Sequence, residues 1–184
     1  MYELSGTILI ELDNDYLSGQ LDIVEKWLEH TATAQYVLVD KLTKAVPNIE
    51  EPHIREAIEK MADANEHHTN GVEQLFSFID RKQNQKSNQV LATVVEKLEE
   101  GLMRFQELLG GAVGSWQELH HLLLLNQQAM GAFAVVEQLG LSLGMKEIVD
   151  VSFSITHEKK MHQIILQEYM LEMAPISILY KENI

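Results

Sequence analysis

The segment from Ala64 to Phe76, ANEHHTNGVEQLF, sets Glu66, His67 and His68 side by side within an apolar pattern of helical period. Imidazole nitrogens and carboxylate oxygens are the donors that hold iron or zinc. The same two residue types recur in ITHEKKMHQII, where His157, Glu158 and His162 fall within two helical turns. Near the start of the chain, Glu25 and Glu29 are four residues apart and share one helical face. There is no cysteine, so disulfides and thiol nucleophiles are excluded, and a metal would be held by nitrogen and oxygen alone. His68 and His162 differ from the other histidines because each lies in phase with the apolar stripe of its segment, where an unpaired imidazole is costly. A ligand role satisfies them, and so does mutual or backbone hydrogen bonding. His30, His120 and His121 read as exposed helix residues. His67 reads the same way, or as a helper to His68.

These residues need long helices to position them. Hydrophobic residues make up 46% of the 184 positions and only three prolines interrupt the chain, which points to a single all-α domain. Apolar residues recur at three-and-four spacing over 15–46 (Leu21, Val24, Leu28, Ala32, Val39, Leu42), and Pro47 and Pro52 punctuate the turn that follows. A second helix is predicted over 52–81 and a third, ending at Gly110-Gly111, over 87–109. Ser115 and Glu118 form a capping-box pattern that opens a helix over 115–139, closed by GLSLG. The last helix covers 145–173, and Pro175 ends it and opens the tail at 175–184, PISILYKENI. The middle helix, at ~1.5 Å per residue, spans roughly 33 Å, the length of a bundle, and reads as a crossover between two helical hairpins. Residues 1–14 form an N-terminal segment without a basic start or a cleavage pattern, so the expected location is cytoplasmic.

Net charge excludes some partners. At -14, the chain repels phosphate backbones and anionic membrane surfaces, so neither nucleic acid nor a membrane is expected. No apolar run approaches the ~20 residues of a membrane span.

An internal echo links the two hairpins. Residues 29–43 align with 126–140 at an offset of 97, pairing Ala32, Val39 and Leu42 with identical residues and Tyr36 with Phe133. The second helix aligns with the last at an offset of 94, which pairs His68 with His162, Ile54 with Ile148 and Val72 with Leu166.

Two helical hairpins joined by a bundle-length crossover are the layout of the ferritin-like superfamily. Glu29-His30-Thr31-Ala32-Thr33-Ala34-Gln35-Tyr36 resembles the bacterioferritin first-helix pattern of Glu, Ala three residues on, then Gln-Tyr. The resemblance implies a four-helix bundle that binds iron through Glu29, His68 and His162. It also implies a Glu three residues before each histidine and a lone Glu on the helix after the crossover, but those positions hold Asn65, Lys159 and Asn126. Glu25, Asp63, Glu66, His67, His157 and Glu158, about one turn away, are the available substitutes. The activity implied is oxidation of ferrous iron for storage or mineralisation, a ferroxidase with an atypical site. The tail after Pro175 loosely resembles the docking peptides of encapsulin cargo proteins, which implies an encapsulin shell as partner. Packing of Ile176, Ile178 and Leu179 on the bundle or in a homodimer is the alternative. A second hypothesis follows from Lys159, whose ammonium can stand where a metal once sat, paired with Glu29, and leave a metal-free interaction or assembly module. A metal-dependent oxygenase is a third, and it needs an apolar substrate pocket.

Overall fold

Pro47 and Pro52 set the first corner of the chain. Neither can continue a helix interior, since proline lacks the N–H and its ring meets the carbonyl of the preceding turn. The computed structural model describes residues 14–83 and 114–180. Helix α1, Asn14–Ala45, runs into a single 3-10 turn, Val46–Asn48, which carries Pro47. Helix α2, Pro52–Phe78, starts with Pro52 in its first turn, where a missing N–H costs nothing. Helix α3 is Ser115–Leu143 and helix α4 is Lys146–Ala174. The crossover expected over 87–109, the N-terminal segment 1–13 and the end of the tail lie outside the described residues.

The four helices form an all-α four-helix bundle, with no strand among the described residues. Each of α1 and α4 packs on both α2 and α3, so α1 and α4 sit diagonally. Neighbours are antiparallel. Gln35 reaches Asn65 across the first hairpin, and Trp27 donates its indole N–H to the Ala132 carbonyl while Lys41, nearer the other end, pairs with Glu118. α1 and α4 therefore run in the same direction. The chain leaves α2 on the α1 side, where the Tyr36 hydroxyl lies 3.0 Å from Gln83 Oε1.

Apolar packing is divided into two clusters, one toward each end of the bundle. One holds Leu38, Leu42, Ile54, Ile58, Leu119 and Leu166, and the other holds Leu28, Val72, Leu75, Phe133, Val136 and Ile148. Between them lies a layer of buried polar side chains: Thr31, Gln35, Asn65, His68, Asn126, Lys159 and His162. One turn along from this layer, Gly71 lets α2 approach α4; a Cβ there would stand 2.7 Å from Ile155 Cδ1.

Three expectations about helix ends are corrected. The Ser115–Glu118 capping box does not form. Gly114, at φ +73°, takes the N-cap position, the Ser115 hydroxyl accepts the Glu50 N–H, and Glu118 pairs with Lys41. The GLSLG segment does not end α3 at its first glycine, because Gly140 is packed under Ile148 and the helix stops at Gly144 in the left-handed conformation. Nor does Pro175 end the last helix. It takes helical dihedrals, and the chain continues as a π-helical stretch, Pro175–Tyr180, whose wider winding accommodates the ring. There Ile176 packs on the core and Ser177 is buried, whereas Ile178, Leu179 and Tyr180 are exposed.

Candidate functional site: a buried lysine layer in mid-bundle

The polar layer sits where the two hairpins face each other, and two pairs of residues 94 apart in sequence meet there. His68 on α2 and His162 on α4 are both buried, with ring centroids 6.1 Å apart. Asn65 and Lys159, which stand at the same offset, are in direct contact, with Lys159 Nζ donating to Asn65 Oδ1 at 2.7 Å. The sequence echo therefore marks a pseudo-two-fold relation at the centre of the molecule.

Lys159 is fully buried, and its ammonium lies 5.7 Å from the centroid of the Phe133 ring. Burial pulls its pKa down to about 7, and the Glu158 carboxylate opposes that shift. Its partner Asn65 is held rigidly. The amide Nδ2 donates to the Met61 carbonyl at 2.8 Å, and Oδ1 also accepts from Gln35 Nε2 at 3.2 Å. Gln35, the glutamine of the first-helix motif, uses the same Nε2 to reach the Asn65 carbonyl at 2.8 Å. On the opposite side Asn126 Nδ2 donates to the Lys159 carbonyl at 2.9 Å and to Gln163 Oε1 at 2.8 Å. Three of the four helices lock their amides around one amine.

His68 Nε2 lies 2.8 Å from Glu158 Oε2. Burial and the neighbouring Lys159 charge pull the His68 pKa down to about 4, against the pull of Glu158, so the ring is neutral at physiological pH and donates Nε2–H to the carboxylate. That bond in turn holds the Glu158 pKa below its usual range. Burial, then the Lys159 charge, also lowers the pKa of His162, whose Nδ1 has no hydrogen-bond partner.

The structure thus brings together three of the expected site residues, His68, His162 and Glu158, and separates the others. Glu66, His67 and His157 are exposed. Glu25 forms an ion pair with Arg81, 3.3 Å from its Nε, at the far end of α2. Glu29 is half-buried on α1, and the Lys159 amine, expected against Glu29, gives its bond to Asn65 instead. Among the described residues no three His, Asp or Glu side chains gather so that they could hold a metal ion. A carboxylate-bridged iron pair needs anionic oxygen where this chain places two amides, already engaged, and an amine, which donates and cannot ligate while protonated. The donors present do not fit such a centre.

Sequence reasoning missed a second polar cluster, at the α1–α3 end. Lys41 Nζ is 2.7 Å from Glu118 Oε2, and Asn48 reaches Oε1 of the same carboxylate at 3.4 Å. His121, expected at the surface, is buried nearby, and burial pulls its pKa down to about 4. The phase of His121 with Leu122 and Leu125 was the signal that could have found it.

No protein-family model and no curated protein matches the chain. Solved structures do share its fold. The Escherichia coli stress protein YciF superposes with a TM-score of 0.66 at 13% identity, over 82% of this chain and 93% of that one. A Xanthomonas campestris protein gives 0.68 at 12% identity, over 90% and 99%. YcfI of Rhodopseudomonas palustris gives 0.65 at 10% identity, over 88% and 98%. No described helix is long and apolar enough to cross a membrane. At such identities the likeness is one of fold: the chain is similar to these proteins in being a four-helix bundle of the same arrangement.

Proposed function

We propose that the chain is a ferritin-like bundle whose metal centre has been replaced by a lysine and its amide partners, and that it works as a metal-free interaction or assembly module. One observation carries this reading: the Lys159 amine is fully buried in the mid-bundle layer and bonded to Asn65 at 2.7 Å, in the position where the ferritin-like pattern calls for carboxylates. A cation next to that amine would face repulsion whenever the amine is protonated, and Asn65 Oδ1, the amide oxygen bonded to the amine, already accepts from Gln35 as well. Ferroxidase activity, iron storage and docking to an encapsulin shell therefore rest on the sequence resemblance alone. The exposed Ile178, Leu179 and Tyr180 belong to a helical stretch continuous with α4, which supports a role for this end of the bundle as a surface.

The test is elemental analysis of protein purified without a metal-affinity tag, before and after anaerobic loading with ferrous iron. The expected outcome is substoichiometric metal and no oxygen uptake on exposure to air. Stoichiometric iron that drives oxygen consumption, and is lost in both His68→Ala and His162→Ala, would overturn the proposal in favour of an iron-oxidising centre.

A further inference from the structure

Helix α4 carries a row of large apolar side chains that the bundle does not use. Phe153, Met161, Ile164 and Leu171 are each 49–59% exposed. At about 100° per residue they fall within one narrow outward sector that also contains His157. Phe153 and Leu171 lie at the same angle, 18 residues and roughly 27 Å apart along the helix. Phe153 stacks on His157, ring centroids 6.3 Å apart and planes 19° from parallel, so the aromatic end of the row is already ordered. A continuous apolar stripe of this length on a water-facing helix marks a contact surface.

The charges identify the occupant. The chain has 28 acidic residues against 14 basic ones, so two copies repel each other over most of their surface. The α4 sector is an exception. From Lys146 to Leu171 its outward and flanking positions hold two acids, Asp150 and Glu168, against two lysines, Lys146 and Lys160. We infer that this face is where a second copy docks, α4 against α4 and antiparallel, through Phe153, Ile164 and Leu171. The inference deepens the assembly-module reading and rests on it. A two-fold axis at the level of residue 162 places Phe153 opposite the partner copy's Leu171 and brings the two Met161 side chains together at the centre. The same register sets His157 beside the partner copy's Glu168 on one flank and lays the Lys160 stem over the partner copy's Ile164 on the other. The described chain also leaves this face open, since it departs from α2 along α1, the helix diagonal to α4, where Gln83 accepts from Tyr36.

Sedimentation equilibrium over micromolar to submillimolar protein tests the inference. The expected result is a species of twice the 21.0 kDa chain mass. Phe153→Glu and Ile164→Glu should each weaken the dimer about thirtyfold or more with the helical circular dichroism unchanged. Because the chain has no cysteine, disulfide trapping reads the orientation cleanly. Phe153→Cys combined with Leu171→Cys should give a covalent dimer, whereas Leu171→Cys alone should not. A monomer at every concentration, a dimer indifferent to both glutamate substitutions, or efficient linkage by Leu171→Cys alone would each overturn it. Metal content measured on the same samples separates the two proposals, since iron in a dimeric protein refutes the metal-free reading and leaves the α4 interface standing, and a metal-free monomer does the reverse.

Discussion

Replacing Lys159 by Met keeps an unbranched apolar stem as far as Cε, with sulfur in place of Cδ, and removes the amine, so the pair of proteins reports chiefly what that buried group does to stability. The ordinary lysine pKa of 10.5 applies to the unfolded chain, and burial lowers the folded value to about 7. That difference corresponds to a cost of about 5 kcal/mol for carrying the proton inside the bundle. Below pH 7 both states are protonated and the full cost is present. Between pH 7 and 10.5 the unfolded chain holds a proton that the folded chain has released, so the unfolded state binds more protons and stability rises with pH, by up to about 1.4 kcal/mol per unit. His68, whose folded pKa is about 4, contributes nothing to this slope above pH 7.5. The Met variant loses one hydrogen bond to Asn65 Oδ1, worth about 1 kcal/mol, while Gln35 Nε2 remains as a donor to that oxygen. Urea unfolding of both proteins from pH 7.5 to 9.5 should therefore show wild type gaining about 2 kcal/mol on the variant across the window. Near pH 7 the variant should be at least as stable as wild type, because a buried charge replaced by an apolar group of similar size is often neutral or stabilising. Parallel pH curves would refute the reasoning, since they would mean that the amine keeps its proton throughout the window, as it would against a carboxylate such as Glu29.

Restoring carboxylates tests the resemblance from the other side. Asn65→Glu, Asn126→Glu and Lys159→Glu together should leave a bundle that is destabilised without metal, binds ferrous iron, and regains thermal stability as iron is added; melting curves with and without anaerobic iron check this. Gly71→Ala should cost about 1 kcal/mol, because its Cβ would meet Ile155 Cδ1 at 2.7 Å, and the contact penalty outweighs the gain in helix propensity. Ile155→Val removes that methyl, so in the Val background the same Gly71→Ala change should stabilise by about 1 kcal/mol; equal effects in the two backgrounds would refute the contact. The Lys41–Glu118 pair, with side chains 22% and 16% exposed, should show a coupling of about 1 kcal/mol in a double-mutant cycle that shrinks in high salt.

The helices were legible because their apolar spacing is regular, and the mid-bundle layer was legible because polar residues that break an apolar stripe in phase have few places to go. His68 and His162 were found that way, and Asn65, Asn126 and Lys159 were found as the positions where the ferritin-like resemblance expects glutamate. What periodicity does not encode is partner choice. Glu25 and Glu29 share a face, yet Glu25 turns to Arg81 at the end of α2. Glu158 sits off the buried stripe, about half exposed, and still reaches inward to His68 because a carboxylate on a flexible stem covers several ångströms. The helix ends failed for a similar reason. Gly140 and Gly144 look alike in GLSLG, and only the fit of Ile148 against one and the positive φ of the other tell a packing glycine from a stop. Ser115 and Glu118 have the spacing of a capping box, but Glu50 and Lys41, distant in sequence, offer them better partners.

On the proposed reading, the same distinction bears on how a metal layer can be lost without losing the bundle. Removing a bridging metal from a site of four carboxylates would leave several like charges buried together, which no helical packing offsets. Here the acids at three of those positions are absent and one amine is present, so the layer needs no more than a single proton to be taken up or released. The amides of the layer come from three different helices: Gln35 of α1 bonds Asn65, Asn65 of α2 accepts from the amine, and Asn126 of α3 bonds the Lys159 carbonyl. The layer then fixes the register of the four helices, as the metal would have done, and it does so with bonds whose geometry survives whether Lys159 Nζ carries two hydrogens or three. A bundle held in that way is free to turn an outer face such as that of α4 to another use.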